Sequence, residues 1–171
     1  MMNLKTTFNR PFFLVTLAVA GFSFLLGPVW ADGDDGFVDD GVLVTYTTED
    51  EFESIKDNVI LAVQDRGLNI ANELHASEML NRTGPDLGYA DNIYVQAETI
   101  EFCSAVISHR LAAANPANIS LCPFAVSIYV LSASPDMVNV TYRHPVGDAA
   151  SAEAVAEVEA LVRGIVEEAV E

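Results

Sequence analysis

The chain has 171 residues, with 8 Lys and Arg against 25 Asp and Glu, and its formal charge is −17. A surface of this sign excludes nucleic acid and anionic membrane as partners, because both are bound through basic patches. Apolar residues make up 51% of the chain. That fraction predicts a folded protein with one modest core and excludes a disordered one.

Residues 1–31 have the pattern of a secretory signal peptide. Lys5 and Arg10 give a positively charged start, and residues 12–26 follow as an uncharged run of 15 residues. Such a run fits the apolar core of a signal peptide and is short for a membrane span. The alternative is an N-terminal anchor that is not cleaved.

Cleavage is predicted between Ala31 and Asp32, where small or modest residues occupy the required positions. It takes the formal charge from −17 to −19, because the removed segment holds two cations and no acid. The mature protein is expected to be exported without a membrane segment. Its compartment is then the periplasm if the host is a Gram-negative bacterium, and the exterior otherwise.

Residues 32–41 carry five Asp and three Gly. Their spacing does not match a calcium-binding EF-hand loop, whereas like charges and glycine favour an extended, solvated chain. The segment is therefore predicted to be a flexible acidic leader. A single α/β domain is predicted over residues 42–171.

The first predicted elements of this domain are a strand and an amphipathic helix. Residues 42–47 are rich in β-branched side chains and favour a strand. Thr48 and Glu51 have the spacing of a capping box, and Gly67 is placed to close the helix. The apolar stripe of this helix is Phe52, Ile55, Val59, Ala62 and Val63.

The remaining pattern alternates strands and helices. Predicted strands cover residues 68–71, 92–96, 124–131 and 138–143, and predicted helices cover 77–80, 103–114 and the chain from about Ser151. This order predicts an α+β fold, a two-layer α/β sandwich with a mixed sheet of about five strands covered by helices. The acidic end of the last helix, with Glu167, Glu168 and Glu171, is expected to fray because its charge opposes the helix dipole.

No set of catalytic residues converges in the sequence, and no motif for a resident cofactor is found. His75 and Met79 are four residues apart, and on a helix they would offer an imidazole and a thioether to copper. An ordinary, partly exposed histidine is the alternative. Copper or haem binding by this pair is kept as a hypothesis.

Cys103 and Cys122 are predicted to form a disulfide. The helix over 103–114 spans about 18 Å, and residues 115–121 can return over that distance at about 3.3 Å each. An exported chain also matures where disulfides persist. Two alternatives stay open: a pair of reduced, buried thiols, and a redox protein in which Cys103, activated by a helix N-terminus, is resolved by Cys122.

From Thr48 onward the chain resembles the family known as domain of unknown function 302, most closely over residues 68–145. The segments that carry the resemblance are 65–68 (DRGL), 73–76 (ELHA), 101–103 (EFC), 118–129 (NISLCPFAVSIY) and 138–145 (VNVTYRHP). The chain reads Cys122-Pro123 where many members have Pro-Cys, and Ser104-Ala105 where Asn-Pro is usual. With these departures, the resemblance is to a secreted subgroup with two cysteines. The resemblance implies a two-layer α/β fold and no established activity.

Three functions follow as hypotheses. The first is an exported, non-enzymatic binding or accessory module whose partner is a small molecule or a cationic protein, since the charge is strongly negative. The second is a thiol redox protein that uses Cys103 and Cys122. The third is a periplasmic copper or haem binder that uses His75 and Met79.

Overall fold

The computed structural model describes residues 36–171, and these residues form an α+β domain of six strands and four α-helices. The strands are β1 (Phe37–Asp39), β2 (Leu43–Thr48), β3 (Asn69–Leu74), β4 (Tyr94–Cys103), β5 (Phe124–Leu131) and β6 (Ser134–Arg143). The helices are α1 (Phe52–Asp65), α2 (Ala76–Thr83), α3 (Ala105–Ala114) and α4 (Ala152–Val170). Short 3₁₀ helices cover Pro85–Leu87, Pro116–Leu121 and Ala149–Ser151. The predicted signal peptide and its cleavage point lie outside the described residues.

The α+β class is confirmed, but the sheet differs from the prediction in strand number and direction. Its order is β1-β2-β6-β5-β4-β3, and each of its neighbouring pairs is antiparallel. A mixed sheet was expected because helices alternate with strands. The helical segment after β4 instead returns to the end of the sheet where it began, since Phe102 of β4 lies in register with Phe124 of β5. The next strand must then run in the opposite direction.

The predicted acidic leader contributes a strand. Phe37–Asp39 pairs with β2, and the ring of Phe37 packs against Tyr46 at 4.9 Å between centroids. The side chain of Asp39 accepts a hydrogen bond from the backbone N–H of Gly41 at 2.9 Å. Gly41 has a φ of +82°, which suits the tight turn into β2. Aspartates that were expected to keep the chain extended therefore close a turn within it.

Helices α1 and α4 cover one face of the sheet and enclose the core. All five residues of the predicted α1 stripe are buried, as expected. On α4 the buried residues include Val158, Val162, Ile165 and Val166. They pack over the inward residues of β5 and β6, which are Val126, Ile128, Val138, Val140 and Tyr142. Among the described helices, none has the length and apolar character that crossing a membrane requires.

The start of α1 differs from the capping box that was predicted. Glu51 holds the N-cap position without a side-chain hydrogen bond, and the hydroxyl of Thr48 donates to Asp50 at 3.0 Å. Thr48 is still the last residue of β2, and its hydroxyl accepts from the backbone N–H of Asp50 at 3.3 Å instead of from Glu51. The end of α1 is as predicted, because Gly67 has a φ of +71°.

The last turn of α4 is ordered, although its charge predicted fraying. The side-chain amide of Asn58 donates to the backbone carbonyl of Ala169 at 3.2 Å. Arg66 forms an ion pair of 2.8 Å with Glu168 and donates to the carbonyl of Gly164. Helix α1 and its C-cap residue Arg66 thus supply the donors and the positive charge that the end of α4 lacks in its own sequence.

The opposite face of the sheet carries a row of hydroxyl groups. Thr45, Thr141, Ser127 and Thr99 lie in register across β2, β6, β5 and β4. The hydroxyls of Thr45 and Thr141 are 2.8 Å apart, and so are those of Thr99 and Ser127. These side chains are half-buried. The row therefore satisfies its own hydrogen bonds in pairs.

Candidate functional site

The two cysteines lie at disulfide distance at one end of the sheet. Cys103 is the last residue of β4 and Cys122 precedes β5, and their Cα atoms are 6.1 Å apart. This spacing lies inside the limit of about 7 Å for a disulfide. Helix α3 begins two residues after Cys103, with Ser104 as its N-cap, rather than at Cys103 as predicted. A reactive thiolate at Cys103 remains a prediction.

The chain between the cysteines is also fixed by a buried asparagine. Asn118 lies on the 3₁₀ helix Pro116–Leu121, and its side-chain amide donates to the carbonyl of Leu111 at 3.0 Å and to the hydroxyl of Ser151 at 2.6 Å. These bonds join the segment to α3 and to the start of α4. Residues 115–122 consequently form a wall with a defined position.

A groove of about 450 Å³ lies between this wall, the start of β5 and the end of β6. Its apolar lining includes Leu121, Phe124, Val158 and Val162. Four hydroxyl residues and two basic residues also line it: Ser120, Ser127, Thr141 and Tyr142, with Arg143 and His144. No Asp or Glu is among the lining residues. In a chain with 25 acids, a groove lined without a carboxylate is unusual.

Arg143 is the last residue of β6, and its side chain is exposed. Within residues 36–171 its guanidinium makes no ion pair and no hydrogen bond. Four other cations in that range, Lys56, Arg66, Arg110 and Arg163, each contact a carboxylate. Arg82 on α2 is the remaining cation without such a partner in that range. Arg143 thus combines an unsatisfied guanidinium with a position in the groove.

His144 lies beside Arg143 but is held by two carboxylates. Its Nδ1 is 3.0 Å from Glu159 of α4, and its Nε2 is 2.9 Å from Asp39 of β1. The hydrogen bond with Asp39, followed by the one with Glu159, raises the pKa of His144, and burial opposes the shift. Protonated His144 therefore donates from both ring nitrogens and joins the first strand to the last helix.

Glu159 accepts hydrogen bonds from the other polar side chains of this network. Its carboxylate accepts hydrogen bonds of 2.9 Å from the Tyr142 hydroxyl and from Arg163. Burial by itself would raise the pKa of Glu159, but the bonds from Tyr142, His144 and Arg163 together lower it. Burial and the bond to Glu159 raise the pKa of Tyr142. Glu159, His144 and Arg163 are therefore ionised and paired, and Tyr142 stays neutral and donates its proton to the hydrogen bond with Glu159.

His75 and Met79 lie elsewhere, at the α2 end of the domain. His75 precedes α2, and its Nδ1 is 3.3 Å from Glu98. Both side chains are substantially exposed, with 51% for His75 and 43% for Met79. The described part of the chain contains no group of three or more His, Cys, Asp or Glu side chains arranged to hold a metal ion. Metal binding by the His75–Met79 pair remains a prediction.

The groove itself was not foreseen from the sequence. The sequence predicted only that a strand ends at Arg143, and it indicated no role for Arg143 or for His144. The partners of His144 lie 105 and 15 residues away in the chain. The contacts of His144 with these partners follow from the order of strands in the sheet, which the sequence did not predict.

An antiparallel sheet covered on one face by two helices, with a groove at the strand ends, defines a small α+β domain. The family model described as domain of unknown function DUF302 matches residues 44–169, and the chain belongs to this family. The predicted resemblance is thereby confirmed.

A solved structure has the same fold. It is described as the crystal structure of an uncharacterized conserved protein DUF302 from Bacillus stearothermophilus, and it superposes with a TM-score of 0.63 at 14% sequence identity. The match covers 74% of this chain and 97% of that chain. At this identity the likeness shows the fold alone. No curated protein matches the chain significantly.

Proposed function

We propose that the protein is an exported, non-enzymatic binding module whose site is the groove between residues 115–122, β5 and β6. The observation that carries the proposal is the lining of the groove, which combines apolar walls with one uncommitted cation. Small-molecule sites in proteins have this character, mostly apolar with a few polar groups, and volumes of about 300–1,000 Å³. Of the two partners considered from the sequence, the groove favours the small molecule.

The polar network beside the groove supports binding rather than turnover. Both ring nitrogens of His144 are engaged by carboxylates, and the hydroxyl of Tyr142 donates to Glu159. A general base needs a free lone pair within reach of its substrate. Protonated His144 has none to offer. Export rests on the signal-peptide pattern of residues 1–31, and a disulfide is compatible with it.

The test is a titration of the exported protein, labelled with ¹⁵N, with a library of small amphipathic molecules. Binding is expected to shift the backbone amides of Ala125, Thr141 and Val146, which line the groove. Ala125→Trp should abolish these shifts by filling the groove. Ala160→Trp, at an exposed position on α4, is the matched control and should leave them unchanged.

Two results would overturn the proposal. One is a library with no member that shifts the groove amides. The other is conversion of a bound molecule to product at a rate that Ala125→Trp removes, since the protein would then be an enzyme.

A further inference from the structure

We infer that the groove binds an amphipathic molecule with a single anionic head, of carboxylate chemistry, and that Arg143 recognises this head. The inference rests on the proposed binding function and names its ligand class. It follows from the hydrogen-bond commitments of the groove, the distribution of charge around it, and its apolar walls.

The side-chain donors that line the groove are bound to partners within the described part of the protein, except those of one residue. Ser120 donates to the carbonyl of Ala117 at 2.9 Å, and Ser127 and Thr141 share hydrogen bonds with threonines of the hydroxyl row. Tyr142 and His144 are bound to the carboxylates of the neighbouring network. Arg143 is left as the lining side chain whose donors are uncommitted within residues 36–171.

Among the described residues, the charged side chains beside the groove are paired with one another, except Arg143. The positive charges of His144 and Arg163 balance the negative charges of Asp39 and Glu159, and these two carboxylates lie outside the groove lining. The net charge that the lining presents to a ligand is therefore that of Arg143. A guanidinium offers a planar fork of donors that matches a carboxylate. A cationic ligand would meet this charge without a counter-ion.

The net negative charge of the chain limits the ligand to one anionic group. The mature chain is expected to carry a formal charge of −19, so the field around the groove repels polyanions. A monoanion suffers least from this field and gains a short-range contact with Arg143. Polyphosphates and nucleic acids are excluded on the same ground.

Exposed apolar side chains at the border of the groove favour a ligand whose remaining part is apolar. Leu43 and Val146 border the groove with exposed fractions of 40% and 78%, and Leu121 extends the apolar wall. Covering these side chains removes apolar surface from water, which is favourable in proportion to the area. An apolar tail beside the anionic head would make this contact.

The experiment compares three probes of one chain length: octanoate, methyl octanoate and octylammonium, each below its micellar concentration. Calorimetric titration of the exported protein should give binding of octanoate at least about tenfold tighter than that of the ester, because hydrogen bonds to charged groups are the stronger ones. Octylammonium should bind more weakly than the ester.

Arg143→Gln is expected to remove the preference for octanoate while ester binding persists. Arg82→Gln, which deletes the other described cation without a carboxylate partner, is the matched control and should keep the preference. Equal affinity of the wild-type protein for octanoate and its ester would overturn the inference and leave the binding function standing. Octanoate binding that shifts amides away from the groove would overturn it as well. An absence of groove shifts with every library member contradicts the binding function itself.

Discussion

A single side chain, His144, joins parts of the chain that are far apart in sequence. It lies after β6 and contacts Asp39 on β1 and Glu159 on α4. The three charges are interdependent, because each carboxylate favours the protonated imidazole and the imidazolium favours both carboxylates. The pKa of Asp39 is accordingly lowered, first by its hydrogen bond with His144 and then by the N–H of Gly41.

The shifts predict a window of pH in which His144 stabilises the fold. Its pKa is raised above 6.5, so its contribution is complete below 6.5 and is lost as the pH rises through the higher folded value. The pKa values of Asp39 and Glu159 are lowered from 3.8 and 4.5, so their contributions are present above those values and lost at lower pH. All three act together between pH 4.5 and 6.5.

We therefore expect the difference in unfolding free energy between wild type and His144→Gln to be largest in this window and to shrink toward alkaline pH. Urea unfolding over a series of pH values measures it. His109→Gln changes an exposed histidine of α3 and should give a small difference. A gap for His144→Gln that widens above neutral pH would contradict the assignment.

At the scale of elements, the predicted disulfide would close the segment that runs from β4 through α3 to β5. Cys103 and Cys122 are 19 positions apart in the chain. In the chain-entropy account, closing a loop of this size stabilises the fold by about 3 kcal/mol. That is a large share of the margin of about 5–15 kcal/mol that is typical of a domain.

The double variant Cys103→Ser/Cys122→Ser is expected to lose about 3 kcal/mol of unfolding free energy. Reduction of the wild type with a dithiol should reproduce this loss and should not affect the variant. Alkylation of the denatured, unreduced protein should label no cysteine, as measured by mass spectrometry. Labelling of both cysteines would show that the protein carries reduced thiols.

Helices with strong local signals were predictable, whereas elements that depend on distant partners were not. Helix α1 has a complete apolar stripe and ends at Gly67, and both features are local. Strand β1 is only three residues long. It is held in the sheet because Phe37 packs against Tyr46 and Asp39 forms an ion pair with His144. The ordered end of α4 likewise depends on Asn58 of α1 and on Arg66, the C-cap residue of α1.

The groove was not predicted, because it too is formed by residues that are far apart in the sequence. Sequence reasoning identified the cysteines, since two cysteines in an exported chain have few alternatives. It did not identify Arg143, because an arginine becomes informative only when its neighbours are known to lack carboxylates. That knowledge depends on the order of strands in the sheet and on the path of residues 115–122.

For the whole molecule, we expect the exported protein to begin at Asp32. N-terminal sequencing of protein taken from the periplasm of a Gram-negative host, or from the medium of another host, checks this. The strand β1 starts five residues after this point, so cleavage would leave it intact. Recovery in the membrane fraction of protein that retains residues 1–31 would support the uncleaved anchor instead.

Both edges of the sheet resist extension by another molecule. At one edge β1 offers three residues and ends in an aspartate, and at the other the pairing of β3 with β4 is interrupted between Ile70 and Asn72, with Glu73 exposed. Short, charged or irregular edges are poor templates for cross-β growth. Even when crowded in a narrow compartment, copies of this protein should stay dispersed rather than assemble into fibrils.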